Sequence, residues 1–172
     1  MGQYLCGSIC TKYISEAFNI DYHDMNKQMS WISELALYLN SKGLDVKLYS
    51  NNSNLYIDFI KGNYDPEFSG FIYLNKVVKE NIYLKEKRLN KEALIEELDN
   101  SDYLILCVES RVFNNDDKFS GGHFVVLENR DNEIVRVINP TIDNYETINL
   151  DLDFLVKCCK NYGQWRLLIR RK

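Results

Sequence analysis

Proline is scarce in this chain. There are two in 172 residues, with no repeat and no low-complexity stretch, so nothing reads as a linker between domains. A single domain over residues 1–172 is expected, long enough to bury a sizeable core. Long apolar runs are missing too. None approaches the roughly 18 residues of a membrane span, and the N-terminus lacks the basic and apolar regions of a signal peptide. Positive charge is not in excess, at 21 Lys and Arg against 25 Asp and Glu, so no basic face is advertised for nucleic acid. The late Arg166, Arg170, Arg171 and Lys172 read as a solvated C-terminal edge. Paired CxxC knuckles are absent and the five cysteines are an odd number, which argues against a disulfide framework and against a zinc site. Reduced thiols in a cytoplasmic protein fit best, with no metal and no cofactor. Histidine is as rare as proline. His23 lies in the polar run Asp21-Tyr22-His23-Asp24, which reads as a surface loop without a third metal ligand.

What is present is an ordinary globular share of hydrophobic residues, 45%, so periodicity can place the elements. Ile9, Cys10, Tyr13, Ile14, Ala17 and Phe18 fall at helical spacing within residues 7–18. Ser30 can cap a second helix whose face is Trp31, Leu35, Tyr38 and Leu39 and which Lys42-Gly43 ends. Val46 to Tyr49 alternates as a short strand. The aromatic-rich stretch 54–85 is ambiguous; it admits helices about Leu55–Ile60 and Ile72–Glu80, and its rings suit either a core or the wall of a substrate passage. Asn90 caps a helix over Glu92–Leu98, with Leu94, Ile95 and Leu98 inward. Tyr103–Val108 reads as a buried strand. Phe124–Glu128 and Ile134–Ile138 read as a hairpin across residues 129–132. Leu152–Cys159 is a short helix and Trp165–Ile169 a last strand. Helices first and antiparallel strands after indicate an α+β fold.

The chemistry concentrates in Gly121-Gly122-His123-Phe124-Val125-Val126-Leu127. The histidine opens an apolar strand, behind a glycine pair that lets a substrate approach the backbone. Sixteen residues later Asn139 ends the next strand, just before Pro140. Cys6-Gly7-Ser8-Ile9-Cys10 opens an apolar helix, which puts Cys6 at the positive end of the helix dipole, an effect of roughly 0.3–1 kcal/mol on a thiolate. A thiol, a base and an orienting amide are the parts of a nucleophilic triad. An imidazolium partner is expected to lower the Cys6 pKa further. Cys10, one turn deeper, and Cys158-Cys159 are expected in the core. Arg111 precedes the polar loop Asn114–Asp117 and suits either a carboxylate or phosphate ligand or a surface salt bridge.

The ordered set resembles the papain-like cysteine peptidases, in particular the bacteriocin leader (double-glycine) peptidase branch and, within it, a sister family labelled guanylyl cyclase. Cys6-Gly7-Ser8-Ile9-Cys10 is similar to that group's DCGxxC helix start. Trp31-Ile32-Ser33-Glu34-Leu35-Ala36 is similar to its WTxDLA helix. Leu104–Arg111 is similar to its strand ending in an acidic residue, one further residue and Arg. Gly122–Leu127 is similar to its GHYxVL strand, and Ile138-Asn139-Pro140 lies where the group has Asp-Pro. The likeness is collinear over nearly the whole chain. It implies N-terminal helices packed against an antiparallel sheet, with Cys6 as nucleophile, His123 as base and Asn139 as orienter.

Three departures accompany it. Leu5 stands where the family has Asp. Asn139 replaces the usual Asp as third member, as in papain itself, with Asp143 as a spare. The family's oxyanion glutamine lies further upstream of the nucleophile than this chain extends. Gln3, three residues before Cys6 and seven before Cys10, either serves from an unusual position or leaves the oxyanion to backbone amides, and it keeps Cys10 as a minority nucleophile. Losing one oxyanion donor costs on the order of a hundredfold in rate.

The resemblance implies acyl transfer through a thioester on Cys6. The donor would be a peptide or an acyl thioester, including one borne by a carrier protein. Water as acceptor makes a peptidase or amidase; an amine makes an amide-forming, transglutaminase-like acyltransferase of a biosynthetic pathway. Neither nucleic acid nor membrane is an expected partner. The alternative is a non-catalytic binding module on a decayed peptidase fold. Nucleotide cyclase activity has no support, because there is no phosphate-cradling Gly loop and no recognisable pair of metal-binding carboxylates.

Overall fold

The computed structural model describes residues 5–22, 29, 31–51, 54–63, 65, 67–115, 121–142, 144–161 and 163–172. Two helices, α1 (Cys6–Ala17) and α2 (Ile32–Ser41), precede β1 (Asp45–Ser50). The aromatic-rich stretch forms α3 (Asn54–Lys61) and α4 (Ser69–Lys79), followed by β2 (Tyr83–Glu86). Next come α5 (Lys91–Asp99), β3 (Tyr103–Glu109) and the short α6 (Ser110–Asn114). A meander of β4 (Gly122–Asp131), β5 (Ile134–Pro140) and β6 (Tyr145–Asp151) leads to α7 (Leu152–Cys158) and β7 (Arg166–Arg170).

The fold is α+β. Among the described residues, seven helices pack on one seven-stranded mixed sheet of order β2-β1-β7-β3-β4-β5-β6. β1 falls between helices as its alternation indicates, and the expected order of helices first and strands after is corrected by a second early strand, β2. β1 and β2 pair in parallel, joined by the crossover of α3 and α4, while every other pairing is antiparallel. β2 and β6 are the edge strands, mostly exposed; β2 is only four residues long, and in β6 only Ile148 and Leu150 pack toward the core. The β4–β5 turn is tighter than expected, with β4 running to Asp131 and β5 starting at Ile134. Asn132 supplies the left-handed conformation at φ 53°, and a register shift between Leu127 and Arg130 absorbs one extra residue on β4.

Strand alternation splits the core in two. Phe124, Val126, Ile138, Ile105 and Leu167 meet α1, α2 and α4 on one face. Val125, Leu127, Val135, Val137 and Leu106 meet α5 and α7 on the other. On the first face α2 buries Ile32, Leu35, Ala36 and Leu39. Trp31 is its extended N-cap residue rather than part of the helical face, and its ring stacks edge-on against Phe68. Ser30 lies outside the described residues. On the second face Asn90 caps α5 as its sequence position indicates, its side-chain oxygen accepting from the Ala93 N–H at 2.8 Å.

Arg166 corrects the reading of a solvated C-terminal edge. It is 0% exposed. The alternation of β7 turns it toward α5, where Nε and Nη2 donate to the Glu97 carboxylate at 2.5 and 2.8 Å. Its Nη1 donates to the Lys87 and Gln164 carbonyls, each at 3.0 Å. Arg170, Arg171 and Lys172 are exposed as expected. No helix among the described residues is long and apolar enough to cross a membrane.

Candidate active site

Residue Leu5 precedes α1 without a side-chain cap, and no acidic residue occupies the first turn. The first N–H groups of the helix therefore keep their positive end uncompensated by the chain itself. Cys6 opens that helix. Of the five free sulfurs it alone is not buried. Three backbone amides, those of Phe124, Gly7 and Cys6 itself, are placed to stabilise its thiolate. Gly7 is needed for the approach of the neighbouring segment, since a Cβ there would lie 2.3 Å from the Met29 carbonyl oxygen. One turn on, Cys10 is fully buried and its Sγ donates to the Phe124 carbonyl at 3.5 Å. Cys107 is the register partner of Phe124 across β3–β4. Three sulfurs thus gather around one residue of β4, Phe124, and only Cys6 is not buried.

The histidine expected as base is the second residue of β4. Gly121, at φ 97°, turns the chain into the strand, a conformation that side-chain-bearing residues rarely adopt. His123 Nε2 lies 2.8 Å from Asn139 Oδ1. Asn139 Nδ2 in turn donates to Glu146 Oε1 at 2.7 Å. Phe113 of α6 packs against the imidazole, with ring centroids 5.9 Å apart. The structure therefore joins two of the three expected triad residues directly. Alternation puts His123 and Asn139 on the face of Phe113, whereas Cys6 arrives over the opposite face with α1. Cys6 reaches the backbone amide of Phe124, the residue after His123, from that opposite face. No hydrogen bond among the described residues joins Cys6 Sγ to the His123 ring.

Electrostatics correct the expectation of a depressed thiol pKa. Burial pushes the Cys6 thiol up, and the Phe124, Gly7 and Cys6 amides offset this only in part. Burial pushes His123 down, with a smaller opposing contribution from the Asn139 hydrogen bond. Both shifts favour the uncharged forms, thiol and neutral imidazole. Cys107 and Cys158, deeper in the core, are raised to about 12 and about 11.

Glu146 was not legible in the sequence. It stands opposite Asn139 in the β5–β6 register, near the exposed start of the edge strand β6. Arg111 resolves toward a salt bridge: its Nη2 is 3.1 Å from Glu109 Oε1, and Asn161 donates to the other carboxylate oxygen at 2.7 Å. The carboxylates of Glu133, Asp151 and Asp153 converge to within 4.8 Å of one another, but Lys91 Nζ stands 2.6 Å from Glu133 and 3.0 Å from Asp153. The ammonium supplies the positive charge there. Gln3, His23 and Asp143 lie outside the described residues. A comparison with known protein families finds no family model that matches this chain, and none of the curated proteins is significantly similar to it.

Proposed function

We propose that this chain is a papain-like, thiol-dependent acyl-transfer enzyme working through an acyl thioester on Cys6. The observation that carries the reading is the junction at Phe124. A half-open cysteine at an uncapped helix N-terminus abuts the peptide that follows His123, and His123 is hydrogen-bonded to Asn139 on its far side. With Nε2 engaged by Asn139, Nδ1 is the ring nitrogen left to serve as base, and it lies nearer its own main chain and hence nearer Phe124. As a neutral imidazole it can accept a proton, and as an unionised thiol Cys6 has one to give.

In the acylation step the Cys6 proton passes to His123 Nδ1 while Sγ bonds to the acyl carbon of a peptide or thioester donor. The imidazolium then returns that proton to the departing amine or thiol as the bond to it breaks. Water or an amine next gives its proton to Nδ1 and attacks the thioester, and Sγ leaves to be reprotonated. Backbone amides at the start of α1 suit the transient oxyanion. Conversion of the resting pair needs Sγ and Nδ1 to close to hydrogen-bond distance, a tightening common when a substrate binds.

Amide formation and hydrolysis share every step up to the thioester. Water is present at roughly 55 M and an amine at far lower concentration, so a transferase must position the amine and exclude water. The expected outcome is an acyl adduct on Cys6 in intact-mass measurements with thioester or amide donors, resolved by primary amines to amide in preference to free acid. Free acid alone across a panel of amines would make the protein a peptidase or amidase. Absence of any adduct, with Cys6 no more reactive to iodoacetamide than the four buried cysteines, would instead favour the binding-module reading.

A further inference from the structure

Glu146 has no part in the triad as the sequence presents it, yet it ends the hydrogen-bonded row that starts at His123. An ionised carboxylate only accepts hydrogen bonds. A primary amide has one accepting and one donating end, and which end faces which neighbour sets what each neighbour must be. The Glu146 carboxylate, 2.7 Å from Asn139 Nδ2, claims the donating end. That leaves Asn139 Oδ1 toward His123 Nε2 at 2.8 Å, so Nε2 must carry the hydrogen. The neutral ring then has its lone pair on Nδ1, the nitrogen nearer the Phe124 peptide where Cys6 stands. Glu146 is well placed to do this: it is directly opposite Asn139 in the β5–β6 ladder, so the backbone register fixes the pair.

We infer that Glu146 is a positioning residue that acts through Asn139 to hold His123 as the Nε2–H tautomer, leaving Nδ1 bare to receive the Cys6 proton. The inference deepens the acyl-transfer reading and rests on it for its purpose. When Nδ1 takes the proton, the Nε2–H bond to Asn139 persists, and the carboxylate beyond the amide favours the imidazolium. Among the described residues, the ionisable group linked to the ring is Glu146 from β6, through Asn139, while Cys6 of α1 stands at the neighbouring Phe124 amide. From α6 the ring meets the uncharged Phe113, and Glu109 at the end of β3 is committed to Arg111 and Asn161.

Histidine ring nitrogens report their tautomer and titration directly in nitrogen-labelled NMR spectra. With only two histidines, His23→Gln assigns the signals. The wild-type protein should show the Nε2–H form for His123. Glu146→Gln, nearly isosteric but able to donate, frees Asn139 to turn over. It should mix the tautomers, move the His123 titration midpoint down, and slow Cys6 alkylation by iodoacetamide on the order of tenfold. Glu146 is exposed on an edge strand, so the variant should fold; circular dichroism checks this. A predominant Nδ1–H form in the wild type, or a Glu146→Gln protein with unchanged tautomer and midpoint, would overturn the inference. If the tautomer responds as expected but Cys6 never reacts ahead of the other cysteines, the positioning stands and the acyl-transfer reading fails.

Discussion

Two polar networks lie against the same sheet, and they are built on opposite terms. The Arg166–Glu97 network is sealed, with the two side chains 0% and 2% exposed. Its guanidinium makes four hydrogen bonds, two to a carboxylate and two to carbonyls. The Glu146–Asn139–His123 row is half-open at the rim and stops one step short, since no hydrogen bond carries it on to Cys6. A buried ion pair with its donors satisfied has nothing left to offer a ligand. In the proposed function, a row that ends in an imidazole one residue from the Phe124 amide, where Cys6 stands, has a proton to move. Burial and completeness together mark the first network as structural and leave the second suited to the proposed reaction.

The largest effect that can break this comparison is on stability. Arg166→Met leaves the buried Glu97 carboxylate with only the part-exposed Lys87 ammonium, 3.2 Å away, as its charge partner, which should cost about 3 kcal/mol in urea unfolding. Arg166→Met with Glu97→Leu should recover most of that loss, because the desolvated charge goes with its partner. Cys6→Ala should do the reverse: stability within about 1 kcal/mol of wild type and no acyl adduct. An Arg166→Met protein as stable as wild type would mean that the sealed network does not hold the α5 face in place.

A smaller effect sharpens the same division. Asn90 caps α5, the helix that carries Glu97 to Arg166, but the cap lies outside both networks. Asn90→Ala should cost about 1 kcal/mol, the usual loss for an N-cap oxygen. It should leave the alkylation rate of Cys6 unchanged, since the packing of α1 on β4 does not involve α5. A change in that rate would show that the two faces are coupled through the sheet.

Much of the fold was legible because its signals are local. The α1 stripe, the Asn90 cap and the uncharged run of β3 each follow from spacing or from one side chain. β2 and β6 were not legible, because β2 is four residues with one inward side chain, Leu84, and the alternation of β6 is confined to Ile148 and Leu150. Arg166 was misplaced for a related reason. A charged residue near a terminus reads as solvated, and only the return of β7 between β1 and β3 brings Glu97, more than sixty residues away in sequence, to meet it. At the site, Cys6, His123 and Asn139 stood out by residue type. Their charge states did not, because burial sets them and burial belongs to the assembled sheet. Glu146 depends on the β5–β6 register, which the sequence pattern does not give.

The smallest expected effect links the reactive row to folding. Burial holds the His123 pKa below its ordinary 6.5, with the Asn139 hydrogen bond pulling partly the other way. Above pH 6.5 the ring is neutral in both the folded and the unfolded chain, and it contributes no penalty. Below that value the unfolded chain binds a proton that the folded one still declines, so stability falls as pH falls, until the folded ring also titrates. The contribution is thus complete above the ordinary histidine pKa and lost on descending through the depressed one. His123→Gln should remove this component, so the wild-type-minus-variant stability difference should decline with acidification across that window. His23 is present in both proteins and cancels. Glu146→Gln, by lowering the His123 midpoint further, should extend the decline to lower pH. A flat difference curve through the window would show that the folded ring titrates as it does in water, and the row at the rim would then lose the buried, neutral character that sets it apart as a base.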